Sequence, residues 1–263
     1  MSRQLVINSA VCYALAFLFT TVLHEGGHAV VGWALGSNPV LHHNYVAHLN
    51  RADLPVAYQA WIALAGPLVS LMQGLVLWLV VRSKDGGGLG RLFLLWAMML
   101  GFGNFLGYLM TGPLFVAGDI GKVEVLLGLP MIVRVALAVI GAAGLTAVAY
   151  WSTRPFLAFA PEPVLLADAQ ARTRFNFRII ILPWLVGAAT ITMLYLPVVA
   201  IVSIIYPITS GMVFIFPWKN ARRVGDARAS GAASVFAGSW YWYAALLVAV
   251  LLFRLVLAPG IAL

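Results

Sequence analysis

The segment His24-Glu25-Gly26-Gly27-His28 contains the side chains of this sequence best suited to chemistry. On a helix, residues four positions apart lie about one turn apart on the same face. The imidazoles of His24 and His28 could therefore bind one Zn²⁺ ion, and Glu25 could act as general base on a water molecule beside it. This H-E-x-x-H spacing predicts a metal-binding site. The alternative is a structural cluster in which these polar groups pair within a helix bundle.

The motif lies inside a long apolar segment. Residues 17–19 and 22–23 precede it, residues 29–31 and Trp33 follow it, and all of them are apolar. Placing two imidazoles and a carboxylate in hydrocarbon costs several kcal/mol, so ionisable groups within a membrane segment usually serve a function. The apolar context therefore strengthens the metal-site interpretation.

The composition excludes an ordinary soluble protein. Hydrophobic residues make up 63% of the chain and charged residues 9%, and the mean hydropathy is +0.97, whereas soluble domains average about 25% charged residues. The net charge of +8 comes from 16 basic residues, most of them in short loops, which fits a lipid bilayer with anionic headgroups better than nucleic acid. We expect an all-α polytopic protein of a bacterial inner (cell) membrane.

The apolar segments predict a single transmembrane domain over residues 1–263. It contains a core at 5–125 that includes the H-E-x-x-H segment, and additional transmembrane helices at 126–263. A spanning helix needs about 20 apolar residues, and the glycines and proline of the third segment predict a broken or re-entrant stretch near the site. The expected spans are about 5–35, 56–81, a third segment from Leu92 broken by Gly101, Gly103, Asn104, Gly107 and Gly112-Pro113, then 131–151 and 240–257.

Residues 179–218 contain no charge and are too long for one straight span. They form either one kinked span with a re-entrant piece or a hairpin of two short spans that turns near Pro197. In the hairpin topology, most Lys and Arg residues lie on the side of the membrane that contains the N-terminus. The positive-inside rule favours such an uneven distribution. We therefore expect seven spans, with six as the alternative. In the hairpin topology the basic residues on the opposite side are Arg51, Lys122, Arg134 and Arg254.

A catalytic zinc site needs a third protein ligand, and Asp119 is the leading candidate. It follows the broken third segment and is flanked by Gly118 and Gly121. Asp119 can reach the two histidines only if the chain kinks, which we expect at Gly112-Pro113. Otherwise Asp119 is an interfacial residue that begins the next loop, and Glu124 becomes the next candidate.

At three places in order, the chain resembles the site-2 protease family of intramembrane zinc metalloproteases. The H-E-x-x-H segment resembles the zinc-binding helix of that family, and Ala65-Gly66-Pro67 resembles its membrane-embedded Gly-Pro turn. Asn104 followed by Gly118-Asp119-Ile120-Gly121 resembles its Asn…Leu-Asp-Gly segment. The resemblance covers roughly residues 15–125 and implies that the core at 5–125 is metalloprotease-like. It implies Zn²⁺ ligands at His24, His28 and Asp119, a catalytic base at Glu25, and a substrate-binding cleft lined by Gly66, Pro67 and Asn104.

The resulting hypothesis is an intramembrane zinc endopeptidase that cleaves a peptide bond in or near the transmembrane segment of a membrane-protein substrate. Gly118 and Ile120 depart from the family pattern. They motivate a different hypothesis, a catalytically inactive membrane subunit that binds and holds a partner protein. A metal transporter or channel is a third option, but its histidines and acids would be spread over several spans.

His42, His43 and His48 follow the motif within a polar loop. We expect them to be solvated. The alternatives are a second metal site or a plug over the active site.

Overall fold

Helices make up 79% of this computed structural model, so the predicted all-α fold is confirmed. The structure describes residues 3–83, 88–196, 201–225, 229, 237 and 239–263. The helices are α1 (Arg3–Ala34), α2 (Val56–Ser83), α3 (Leu89–Thr111), α4 (Asp119–Leu126), α5 (Met131–Leu157), α6 (Ala169–Asn176), α7 (Leu182–Leu194), α8 (Ile201–Asn220) and α9 (Trp240–Leu251).

Six helical segments within the described residues are long and apolar enough to cross a membrane. Helix is the expected form because, in lipid, every backbone polar group must find its partner within the protein. The chain is therefore an integral membrane protein. The six segments are Arg3–Ala34, Val56–Ser83, Leu89–Thr111, Met131–Leu157, Ala169–Leu194 and Trp240–Leu257.

Helix α8 runs antiparallel to the α6–α7 segment. Asn176 Nδ2 donates to the Pro217 carbonyl (3.0 Å), and Trp184 Nε1 donates to the Pro207 carbonyl (3.0 Å). Asn176, the earlier residue of the α6–α7 segment, thus pairs with Pro217, the later residue of α8. This arrangement agrees with the predicted hairpin, although its turn near Pro197 lies outside the described residues.

A small antiparallel sheet joins the two ends of the chain. Its strands are β1 (Pro39–Leu41), β2 (Val46–His48) and β3 (Ile261–Ala262), in the order β2-β1-β3. Because β3 pairs with β1, the first and the last spanning helices end at the same face. An odd number of crossings between them satisfies this requirement, as the hairpin topology does.

Helix α1 is packed against α2, α3 and α7 and is held by buried polar bonds as well as apolar contacts. The Trp96 indole donates to Ser9 Oγ (3.0 Å), and the Ser9 hydroxyl donates to the Ile179 carbonyl (2.7 Å). The Tyr13 ring meets the Trp96 ring edge-on, with 5.1 Å between centroids. Satisfied polar groups in a tightly packed core fix the position of α1.

The third span is interrupted later than the sequence indicated. Helix α3 continues without a break through Gly101 and Gly107 and ends at Thr111, so the expected breaks at the earlier glycines are wrong. Gly101 instead permits close contact with α2, because a Cβ there would lie 2.8 Å from the Ser70 carbonyl oxygen. The chain does turn at Gly112-Pro113, since proline cannot continue the helical hydrogen-bond ladder.

Candidate metal centre

The two histidines of the motif lie on one buried face of α1. His24 is 3% exposed and His28 is 6% exposed. Their Nε2 atoms are 3.1 Å apart, as the i, i+4 spacing predicted. Gly27 lies between them, where a Cβ would be 3.0 Å from the Ala65 carbonyl oxygen. This glycine therefore lets the histidine turn pack directly against α2.

The turn after α3 brings Asp119 to both histidines. Asp119 is the first residue of α4, and its Oδ2 atom lies 3.1 Å from His24 Nε2 and 3.3 Å from His28 Nε2. The expected kink and the expected proximity are therefore observed. Glu124 does not join the group. Its buried carboxylate packs against Gly112, where a Cβ would lie 2.6 Å from Oε1.

Hydrogen bonds on the far side of each ring fix the orientation of the imidazoles. His28 Nδ1 lies 2.6 Å from the Ile62 carbonyl oxygen, which can only accept, so Nδ1 carries the proton. In the neutral ring, Nε2 then has a free lone pair directed at His24 and Asp119. His24 Nδ1 lies 3.1 Å from Ser70 Oγ. An outer partner of this kind is typical of metal-binding histidines.

The three donor atoms fit a divalent metal ion. Two imidazole nitrogens and one carboxylate oxygen are common zinc ligands, with bond lengths of about 2.0–2.2 Å. Bonds of about 2.05 Å place the corners of a tetrahedron about 3.3 Å apart, and the three observed separations are 3.1, 3.1 and 3.3 Å. Without a cation between them, these lone pairs repel unless one imidazole takes up a proton. The donor set therefore fits Zn²⁺ with a fourth position left open.

The three donor residues line a cavity of about 190 Å³. Glu25 lines this cavity, and its carboxylate forms no hydrogen bond with the described residues, so it is available to a water molecule or a substrate. Asn104 also lines it, and its buried Oδ1 likewise lacks a hydrogen-bond partner in the described part of the chain. The cavity is lined by Phe17, Thr21, His24, Glu25, His28, Asn44, Tyr45, Val46, His48, Arg51, Asn104, Tyr108, Ala117, Gly118, Asp119, Lys122, Tyr195 and Tyr206.

Gly66 and Pro67 do not lie where the resemblance places them. Helix α2 continues through Pro67, so the expected turn is wrong, and neither residue lines the cavity. Pro67 has no backbone N–H to donate, but the missing hydrogen bond does not break the helix. Gly66 instead packs against the Nε2 edge of His28, because a Cβ at this position would overlap that part of the imidazole. Its contribution is to let the ligand ring lie against α2.

The loop histidines are packed rather than solvated. His48 lines the cavity, its Nδ1 lies 2.8 Å from Ser37 Oγ, and burial together with the Arg51 guanidinium lowers its pKa to about 4. The His42 ring stacks on Tyr45, and His43 is buried. Within the described residues, no second group of three metal-binding side chains includes them. Of the two alternatives, a plug over the active site describes this loop better than a second metal site.

Sequence reasoning missed Tyr108 and the cationic side chains of the cavity. The Tyr108 ring stacks on His24, with 5.7 Å between centroids and 11° between planes. One signal was present, because Tyr108 follows Asn104 by four residues and so shares its helix face. Arg51 and Lys122 had no local signal, since they approach only through the folding of the β-hairpin and of α4.

No protein-family model, no curated protein and no solved structure matches this chain. The function must therefore be argued from the geometry of the site.

Proposed function

We propose that this protein is an intramembrane zinc endopeptidase that cleaves a peptide bond in or near the transmembrane segment of a membrane protein. The observation that carries the proposal is the convergence of His24, His28 and Asp119 on one point beside Glu25. Three ligands with an open fourth position are typical of catalytic rather than structural zinc sites. The resemblance to site-2 proteases supports the same activity.

The chain's own residues supply the remaining chemistry. Zn²⁺, when bound, polarises the scissile carbonyl and makes water acidic enough to lose a proton near neutral pH. Glu25 takes that proton on its carboxylate and passes it to the leaving amine. The Asn104 carboxamide is available to hold a backbone amide of the substrate. Ser70 and the Ile62 carbonyl keep the two imidazoles oriented throughout.

The exposed edge of β2 is a better site for an extended substrate than the Gly66-Pro67 helix. In an antiparallel pair, every second residue bonds to the neighbouring strand. The register pairs Val40 with Ala47, so the backbone groups of Val46 and His48 point away from β1. Both residues line the cavity, and their outer edge has no strand partner in the described part of the chain. A substrate strand can add there by backbone hydrogen bonding.

The proposal is tested by comparing wild-type protein with Glu25→Gln. Zinc content is measured by elemental analysis of the purified protein, and cleavage by mass spectrometry of new N-termini in membrane proteins of the producing cells. Glu25→Gln should keep its zinc and reduce cleavage by about 10²–10⁴-fold, since only the base is lost. Glu162→Gln, which changes an exposed loop acid, is the matched control and should leave both unchanged.

Two results would overturn the proposal. One is wild-type protein that is intact but contains no divalent metal. The other is an unchanged set of new N-termini in Glu25→Gln. Zinc-loaded wild-type protein that yields no new termini and co-purifies with one stable partner would favour the inactive-subunit hypothesis instead.

A further inference from the structure

Two cationic side chains, Arg51 and Lys122, line the cavity of the candidate metal centre. Arg51 lies just after β2 and donates through Nη2 to the Gln59 carbonyl (3.1 Å). Lys122 lies on α4, three residues after Asp119, and its ammonium group forms no hydrogen bond or ion pair with the described residues. Because ammonium and guanidinium groups have no lone pair to offer, neither cation can bind the metal.

With both ligand imidazoles neutral, as metal binding requires, the charges around this cavity balance before the metal ion is added. Glu25 and Asp119 contribute two negative charges, and Arg51 and Lys122 contribute two positive charges. His48 adds none at neutral pH, because its pKa is lowered to about 4. A bound Zn²⁺ ion would therefore leave the cavity with a net charge of +2. Uncompensated charge in a partly desolvated site is costly, so the loaded site favours an anionic ligand group.

We propose that Arg51 and Lys122 bind a carboxylate of the peptide substrate close to the scissile bond. This inference rests on the proposed function and adds a substrate class to it. The carboxylate is either the C-terminal group of a peptide or the side chain of an Asp or Glu residue. Arg51 suits this role because its planar guanidinium can present two parallel N–H donors to one carboxylate. Lys122, on α4, adds a flexible point charge.

The cation pair gives the site a basis for selection. Apolar transmembrane segments contain few carboxylates, because an acid in hydrocarbon is costly. A peptide that presents a carboxylate at the metal centre therefore comes from the end of a span or from a free C-terminus. A substrate without it leaves both cations unpaired, which sites built for a polar partner reject strongly.

The experiment uses two probes that differ only in charge, succinic acid monohydroxamate and its carboxamide. The hydroxamate end chelates the metal, and the other end offers either a carboxylate or a neutral amide. Binding to the purified full-length protein in detergent is measured by titration calorimetry, with zinc content determined on the same sample. Zinc-loaded protein should bind the carboxylate probe at least about tenfold more tightly, as one charge-assisted hydrogen bond allows.

Arg51→Gln and Lys122→Gln should each reduce that preference, and the double variant should abolish it. Arg174→Gln removes a cation of α6 that does not line the cavity, so it should keep the preference. Mass spectrometry of cleaved peptides identifies the source, since recognition of a terminal carboxylate releases short C-terminal peptides and recognition of an internal acid releases longer fragments. Equal binding of both probes to zinc-loaded protein would overturn this inference and leave the proposed function intact. If wild-type protein contains no divalent metal as purified and still binds the carboxylate probe selectively, the result would support the cation pair while contradicting the proposed function.

Discussion

The helices around the metal centre and the last spanning helix are similarly apolar but differ in burial. In the most apolar stretch of α1 and of α3, 61% of residues are buried inside the protein, against 6% for Trp240–Leu257. All proposed ligands lie on α1 and α4, which pack against α2 and α3. A helix that only crosses lipid needs hydropathy, whereas one that positions polar groups needs protein on most of its faces. Mean hydropathy alone cannot separate these two kinds of helix.

Removal of a metal ligand should give the largest effect. His28→Ala should eliminate stoichiometric zinc, because two donors remain of three, and should reduce cleavage to the level of Glu25→Gln. His42→Ala removes a loop histidine that lies outside the cavity lining and should keep one zinc per chain. Elemental analysis of both purified variants checks this. Full zinc occupancy in His28→Ala would show that the metal binds elsewhere.

The difference in burial predicts different costs for large-to-small substitutions. Trp96→Ala removes a fully buried ring between α1 and its neighbours and should cost about 3–5 kcal/mol of unfolding free energy. Leu247→Ala, on the lipid-facing surface of α9, should change stability by less than about 0.5 kcal/mol. Thermal unfolding in detergent measures both. Equal losses would contradict the contrast between the two regions.

Gly66→Ala tests whether the packing of α2 against the His28 ring sets the metal affinity. The added methyl group must displace the His28 ring, and displacement of a ligand orientation costs about 10–100-fold in affinity. Gly26→Ala is the matched control on the ligand helix, because a Cβ there meets nothing within 4 Å. Competition with a chromophoric zinc chelator compares the two variants. An unchanged affinity in Gly66→Ala would mean that α2 does not position His28.

A smaller effect is expected for pH. Because the folded-state pKa of His48 is about 4 and an unfolded histidine titrates near 6.5, the unfolded chain binds a proton first as the pH falls. His48 should therefore reduce stability progressively between about pH 6.5 and pH 4. Solvent screening keeps the effect modest, since the ring is only partly buried. Between pH 7 and pH 5, the thermal stability of His48→Gln should decline less than that of wild-type protein. An equal decline would contradict the lowered pKa of His48.

The short-range features of the site and the approach of Asp119 to the two histidines could be predicted from sequence, whereas the contacts of the loop after α1 could not. The spacing of His24 and His28 determines a shared helix face, and Gly112-Pro113 determines where α3 ends. Pro67 was misleading, because a helix held by neighbouring helices tolerates one missing donor. His48 and Arg51 reach the metal centre through the β1–β2 hairpin. The position of this hairpin depends on its pairing with β3, which lies more than 200 residues later in the chain. Local propensity contains no information about such pairing.

X-ray absorption spectroscopy at the zinc edge of the purified protein can show directly whether His24, His28 and Asp119 bind zinc. We expect one zinc per chain with two imidazole nitrogens and one carboxylate oxygen at about 2.0–2.1 Å, and a fourth light-atom ligand from water or substrate. Asp119→Asn should weaken or alter the oxygen shell while the two-imidazole signal persists. A spectrum with fewer than two imidazoles, or one unchanged by Asp119→Asn, would contradict the assignment of His24, His28 and Asp119 as the metal ligands.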